Sequence, residues 1–324
     1  MKPKVFVTRP LPAPAMELLA AHFELAFHAQ DSPMPPAQLI EACSDVEGLL
    51  VVGSRITAEV IARATRLRAV STASVGYDNI DIAACTLRHI PVTNTVGVLE
   101  ETTADLAFAL LLAVARRVVE GDRYIREGLW REWQYGLLHA ADIHHKTLGL
   151  YGFGRIGQAV ARRGRGFSMP IIYYARHRVS ESVERELEAR YVDRETLLRE
   201  SDFFSLHVPK TPETQHAIGA PELAEMKPSA FLINTARGSV VDEEALVQAL
   251  QAKKIAGAGL DVFEQEPKVH PGLVTLPNVV LMPHVGSATG ETRLAMAMRA
   301  AENLIALLDG RRPRDVVNPE AYSP

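Results

Sequence analysis

The chain has 324 residues, 47% hydrophobic and 23% charged, a globular profile longer than one core usually supports, so two domains are expected. Thirty-five basic residues against 39 acidic ones give a net charge of -4, which offers no footprint for nucleic acid or an anionic membrane. The basic start MKPKVFVTRP has no apolar stretch of signal-peptide length, and the most apolar run, residues 106–114, is far short of a membrane span. Cys43 and Cys85 could form one disulfide but read better as two buried thiols in a reducing compartment, and with the preceding features the expected location is cytoplasmic.

Residues 5–8 read as a strand and 13–22 as a helix, with further short strands at 48–52, 69–72 and 91–93. Helical stretches at 58–65 and 80–88 separate them, and the Pro-rich residues 33–36 read as a turn. A long apolar helix is expected over 100–120, carrying Leu106, Ala109, Leu110, Ala113 and Val114 at helical spacing. A polar excursion bearing Trp130, Trp133 and Tyr135 follows over 128–145. The alternation then restarts at 147–151, with strands at 171–174, 202–207, 230–234, 255–260 and 279–282. An amphipathic helix over 289–308 closes the pattern before Gly310. It follows the second unit's last strand, so it could pack back on the first. The pattern reads as α/β, with two Rossmann-like domains, parallel doubly wound sheets and a cleft between them.

Gly152-Phe153-Gly154-Arg155-Ile156-Gly157 is a Gly-x-Gly-x-x-Gly motif set between a strand and the helical pattern 158–165. Gly152 permits a tight turn, Gly154 lets backbone amides approach a pyrophosphate, and Gly157 allows close helix–strand packing. The alternative is a tight turn without a ligand; the flanking strand and helix favour a dinucleotide. After the next strand, where an acid normally holds the ribose hydroxyls, the sequence reads Tyr174-Ala175-Arg176-His177-Arg178. An acid would repel a 2′-phosphate, whereas Arg176 and Arg178 could pair with one, so NADP(H) is preferred over NAD(H). The bland alternative is a solvated basic loop.

Three later strand ends carry reactive groups. Arg237 follows the strand 230–234 and could fork onto a carboxylate, though a structural ion pair would also account for it. Asp261, Glu264 and Glu266 follow the strand 255–260, and His284 follows 279–282, where an imidazole could protonate a developing alkoxide. Taken singly, His284 would be an ordinary histidine; three such residues at successive strand ends are harder to dismiss. No His, Cys or Asp cluster has metal-ligand spacing, so no metal is expected. His144 and His145 read as loop residues, and His207 as lining the cofactor cleft.

Five segments together resemble the D-2-hydroxyacid dehydrogenase family along essentially the whole chain: residues 74–81, 152–157, 234–238, 261–267 and 283–287. Residues 142–148 and 169–171 are similar to its bacterial glyoxylate/hydroxypyruvate reductases, which also reduce 2-ketogluconate. The resemblance implies NADPH-dependent reduction of small 2-keto acids to D-2-hydroxy acids. It makes Arg237 the substrate anchor, His284 the acid/base and Glu266 its supporting carboxylate. It also gives the backbone of Val75 and Gly76 to the substrate carboxylate, and sets Thr103 near the nicotinamide. Asp261 would tune the pair or face the nicotinamide amide. The cofactor is further expected along His177, His207, Val208 and Pro209, and along Thr235, Ala236 and Gly286. The implied domains are a flavodoxin-like substrate-binding domain, 1–98 with 290–324, and a dinucleotide-binding domain, 99–289. A homodimer is implied, with 128–145 as its arm. Residues 99–101 and 130–138 are candidates for substrate choice. The rival readings are a dehydrogenase of another small acid, such as phosphite or formate, and a non-catalytic dinucleotide sensor.

Overall fold

The computed structural model describes residues 2–322. The chain folds into two compact units, Met1–Leu99 with Ser287–Pro324, and Glu100–Gly286.

The first unit runs β1 (Lys4–Val7), α1 (Ala13–His22), β2 (Glu24–Phe27), α2 (Pro36–Cys43), β3 (Gly48–Val51), α3 (Ala58–Arg63), β4 (Ala69–Thr72), α4 (Ile82–Leu87) and β5 (Val92–Thr93). Its strands are all parallel in the order β2-β1-β3-β4-β5, the flavodoxin-like arrangement. β3 and β4 are buried throughout, as strands covered on both faces must be. Two of these elements were not expected. β2 is a mostly exposed edge strand, and the Pro-rich segment read as a turn starts α2, with Pro36 at its first helical position. Cys43 and Cys85 are free thiols in one apolar core, where burial pushes both up to about 12.

The second unit begins with α5 (Glu100–Ala115) and α6 (Val118–Arg126). The single helix expected over 100–120 is therefore two. Arg117 between them adopts left-handed backbone (φ 53°), held by paired hydrogen bonds to Glu120 at 2.9 and 2.7 Å and one to the His139 carbonyl at 3.2 Å. There follow β6 (Leu148–Tyr151), α7 (Arg155–Gly166), β7 (Ile171–Tyr174), α8 (Glu181–Leu187), β8 (Ala189–Tyr191), α9 (Arg194–Glu200) and β9 (Phe203–Leu206). The unit continues with α10 (Ala220–Glu225), β10 (Phe231–Asn234), α11 (Glu243–Gln251), β11 (Gly257–Leu260), α12 (Pro271–Thr275) and β12 (Val279–Leu281). The sheet is parallel, in the order β12-β11-β10-β9-β6-β7-β8. The chain winds outward from β6 through β7 to β8, then restarts on the other side at β9. The switch point thus falls between β6 and β9, where open α/β sheets bind ligands.

α13 (Gly290–Leu308) belongs to the first unit. It lies against β3 so closely that a Cβ at Gly48 would be 2.8 Å from Leu308, and Ser71 of β4 donates to the Ala300 carbonyl at 2.9 Å. Leu304, Leu307 and Leu308 are buried there, each contributing about 2 kcal/mol. Thr289 caps the helix by accepting from the Thr292 amide at 3.3 Å, and Gly310 ends it at φ 77°. Among the described residues, no helix is long and apolar enough to cross a membrane.

Candidate active site

Only Gly152, Phe153 and Gly154 connect β6 to α7. Gly152 has a φ of 97°, and a Cβ there would lie 2.5 Å from the His207 carbonyl oxygen. Only glycine fits both constraints. A Cβ at Gly157 would overlap the Gly152 carbonyl oxygen, whereas nothing lies within 4 Å of one at Gly154. The first amides of α7 therefore stand open to an anion. The Phe153 ring is buried and stacked on Tyr173 at 3.9 Å, so its backbone alone is available to a ligand. Arg155 is exposed and Ile156 half-buried.

Beyond β7, Arg176, His177 and Arg178 are exposed. Arg178 is already engaged: its Nε and Nη2 donate to Glu184 at 2.8 and 2.7 Å, and the Tyr173 hydroxyl donates to the same carboxylate at 2.7 Å. These bonds hold the Glu184 carboxyl down to about 2. The Arg178 guanidinium also lies 5.9 Å over the Tyr191 ring. Sequence reading missed Glu184, because a glutamate in the first turn of a short helix carries no sign of its partner. Arg176 keeps a looser setting; its charge helps hold Glu213 low, secondary to the Thr211 hydroxyl.

Across the switch point, the His207 amide donates to the Tyr151 carbonyl at 2.8 Å, which sets His207 and Val208 against Gly152. The His207 ring is 2.9 Å from the Ser205 hydroxyl, and burial pushes it down to about 3, so it is neutral. Pro209 is exposed, its carbonyl accepting from Thr214 at 2.7 Å.

Asn234 shapes the turn after β10. Its Oδ1 accepts from the Ala236 amide at 3.0 Å and its Nδ2 donates to the Arg237 carbonyl at 2.9 Å, an Asx turn that fixes where Arg237 departs. Thr235 Oγ1 is buried without a hydrogen-bond partner and Ala236 is buried. Arg237 donates to the Ala236 carbonyl at 2.7 Å. A Cβ at Gly238 would overlap the Phe263 carbonyl, so the Arg237 turn packs flush against the segment after β11.

That segment carries Asp261 and Glu266. His284 Nδ1 lies 2.8 Å from Glu266 Oε2, and Glu266 Oε1 accepts from the Phe263 amide at 3.0 Å. Burial raises the Glu266 carboxyl, but these bonds and the charges of His284 and Arg237 outweigh it, so the group stays ionised. Glu264 instead meets His216, at 2.6 Å. His284 has left-handed backbone (φ 54°), a conformation that costs about 1 kcal/mol or more outside glycine and collects at functional sites. Asp261 holds it there. Its carbonyl accepts from the His284 amide, and its two carboxylate oxygens accept from the Val285 and Gly286 amides, each at 2.8 Å. Asp261 is 1% exposed, and burial pushes its carboxyl up. Its hydrogen bonds thus make it the clamp of the His284 turn. Thr103 on α5 is buried beside Gly286, within 3.7 Å of a Cβ placed there.

In the first unit, Val75 and Gly76 form a turn after β4 that three side chains fix. Ser74 donates to the Gly76 carbonyl at 2.6 Å and sits 2.9 Å from the Thr72 hydroxyl, and Asn94 donates to the Val75 carbonyl at 2.8 Å. Among the described residues, no group of three or more His, Cys, Asp or Glu is placed to hold a metal ion.

Residues 108–286 match a family described as D-isomer specific 2-hydroxyacid dehydrogenase, NAD binding domain. The chain is 50% identical to the glyoxylate reductase of Thermococcus litoralis, over 100% of this chain and 99% of that protein. It is 52% identical to that of Korarchaeum cryptofilum, over 99% and 97%. The crystal structure of an NADPH-dependent glyoxylate/hydroxypyruvate reductase from Sinorhizobium meliloti, in complex with NADP and malonate, matches with a TM-score of 0.88 at 35% identity, over 99% of this chain and 98% of that one. These archaeal relatives are thus nearer in sequence than that bacterial reductase. With its nucleotide turn, its paired imidazole and carboxylate, and these relatives, the chain belongs to the D-isomer specific 2-hydroxyacid dehydrogenase family, NAD(P)-dependent oxidoreductases of small 2-keto and 2-hydroxy acids.

Proposed function

We propose that the chain reduces glyoxylate, hydroxypyruvate and 2-ketogluconate to D-2-hydroxy acids, with NADPH preferred over NADH and His284 as the proton donor. The observation that carries this reading is the His284–Glu266 pair at 2.8 Å. Glu266 takes up Nδ1, which leaves Nε2 as the nitrogen that can deliver a proton. Arg237 would grip the substrate carboxylate and polarise the keto oxygen. As the C2 oxygen gains charge, His284 would protonate it and Arg237 would stabilise it.

A bound reduced nicotinamide dinucleotide would supply the hydride. The residues present fit such a group: the amides after Gly154 are open, Gly152 and Gly157 accept no side chain, and Thr235 Oγ1 is a buried donor without a partner. Thr103 and Gly286 would border the nicotinamide, and His207, Val208 and Pro209 the adenosine side of the switch point. For a 2′-phosphate, Arg176 is the better-placed cation, because the fork of Arg178 is taken by Glu184. His177 would flank it.

A homodimer is the assembly this reading carries. Trp130, Trp133 and Tyr135 are 54%, 77% and 85% exposed, and Val118, Val119 and Ile125 of α6 add further exposed apolar surface. An apolar stretch of this kind marks an interface. Sedimentation as a monomer would overturn that part.

Initial rates with glyoxylate, hydroxypyruvate and 2-ketogluconate, each with NADPH and NADH, test the function. NADPH oxidation with these acids is expected. An NADH preference would overturn the cofactor assignment. Turnover of phosphite or formate but of no keto acid would overturn the substrate class.

A further inference from the structure

We propose that Glu243 is a positioning residue for the His284–Glu266 pair, gripping the 263–264 peptide from which Glu266 is aimed. The inference rests on the reading of His284 as proton donor.

Glu243 opens α11, but the helix does not need it as a cap: Asp242 accepts from the Ala245 amide at 3.0 Å and fills that place. Its neighbour Glu244 points outward to His270, at 3.1 Å. Glu243 turns inward, is 6% exposed, and accepts from the Glu264 amide at 2.7 Å. The preceding amide, that of Phe263, donates to Glu266 at 3.0 Å. Consecutive amides of one segment thus hold two carboxylates, and the second of these meets His284 at 2.8 Å.

The same peptide seats the substrate anchor, since Gly238 lies too close to Phe263 for any side chain. His216 also holds the segment, through the Glu264 side chain at 2.6 Å. The 263–264 peptide is therefore where the Arg237 turn, Glu266 and Glu243 converge. Burying a carboxylate is unfavourable, and a surface segment could have given its amide to water instead. Burial pushes the Glu243 carboxyl up, and the charges of Glu264 and Glu266 add to this against the Glu264 amide and His270. A carboxylate kept there at that cost is explained by placement. Without it, the segment would lose one of its two amide anchors, and misplacing an acid/base group by about 1 Å costs on the order of a hundredfold in rate.

The test compares Glu243→Ala, Glu243→Gln and Glu243→Met with the unmodified chain, using glyoxylate and NADPH. It reads kcat, both KM values, NADPH affinity by fluorescence titration, and Tm. Glu243→Ala and Glu243→Met are expected to lower kcat by about tenfold to a hundredfold while NADPH affinity stays within about twofold. Glu243→Gln, which keeps the acceptor, is expected to restore kcat to within about threefold. If the alanine variant does not fold, the methionine variant, of similar volume, decides. Unchanged kcat in either, a glutamine variant as slow as the alanine one, or NADPH affinity falling in step with Tm would each overturn the inference. If the unmodified chain turns over but Glu243→Ala is unimpaired, this inference fails alone. A silent unmodified chain overturns the functional reading and this inference with it.

Discussion

His284 Nδ1 and Glu266 Oε2 lie 2.8 Å apart, and the other oxygen of Glu266 is held by the Phe263 amide at 3.0 Å. The carboxylate therefore fixes the tautomer and the orientation of a ring whose own backbone is held in the left-handed region. Glu266→Gln keeps the shape but removes the charge and offers the wrong partner in one of its two flips. Its kcat for keto-acid reduction is expected to fall about a hundredfold with NADPH affinity unchanged. Steady-state rates checked against cofactor titration would show it, and an unaffected kcat would remove Glu266 from the mechanism.

Gly152 is constrained twice, by its φ of 97° and by the His207 carbonyl, which a Cβ would approach to 2.5 Å. Gly152→Ala should therefore lower stability by about 2 kcal/mol or more and weaken dinucleotide binding by at least about tenfold. Gly154→Ala meets no protein atom and should leave Tm nearly unchanged while still weakening binding. Thermal unfolding and cofactor titration of the two variants separate these effects.

Cofactor choice should respond unequally to the two arginines after β7. Arg176→Ala is expected to lower the ratio of kcat/KM for NADPH over NADH by about tenfold or more. Arg178→Ala should change it less, since that guanidinium is paired with Glu184. An equal loss in both variants would show that Arg178 leaves Glu184 when a 2′-phosphate arrives.

The Glu184 pair also has a pH signature. Its carboxyl stands at about 2 in the fold against an ordinary 4.5. A carboxyl lowered by folding contributes stability above its unfolded value, and loses that contribution as pH falls through its folded one. The Tm difference between the unmodified chain and Glu184→Gln should be largest near neutral pH and shrink as pH falls below about 4.5. A difference that stays constant down to acid pH would contradict the pairing.

Much of this site is legible in the sequence because its residues stand at strand ends. The strand–helix alternation locates β6, β10, β11 and β12, and the residues singled out in the sequence follow each of them. What is hidden depends on tertiary partners. β2 and β8 are short edge strands with exposed positions, so no apolar run announces them. α2 hides behind prolines that read equally well as a turn. Nothing in Ala115-Arg116-Arg117-Val118 marks a break between α5 and α6, because no glycine or proline stands there and the break is held by side-chain bonds to Glu120 and His139. In Asp242-Glu243-Glu244, sequence shows an acidic helix start and cannot say which carboxylate turns inward. The backbone-bonding role of Asn234 is more readable, since an asparagine between a strand and a turn commonly bonds to the backbone beyond it.

The most direct test of the central claim is turnover and NADPH affinity in His284→Ala. The account expects kcat with glyoxylate to fall by about two orders of magnitude or more while NADPH binds as it does to the unmodified chain. Near-normal turnover in this variant would contradict the assignment of His284 as proton donor.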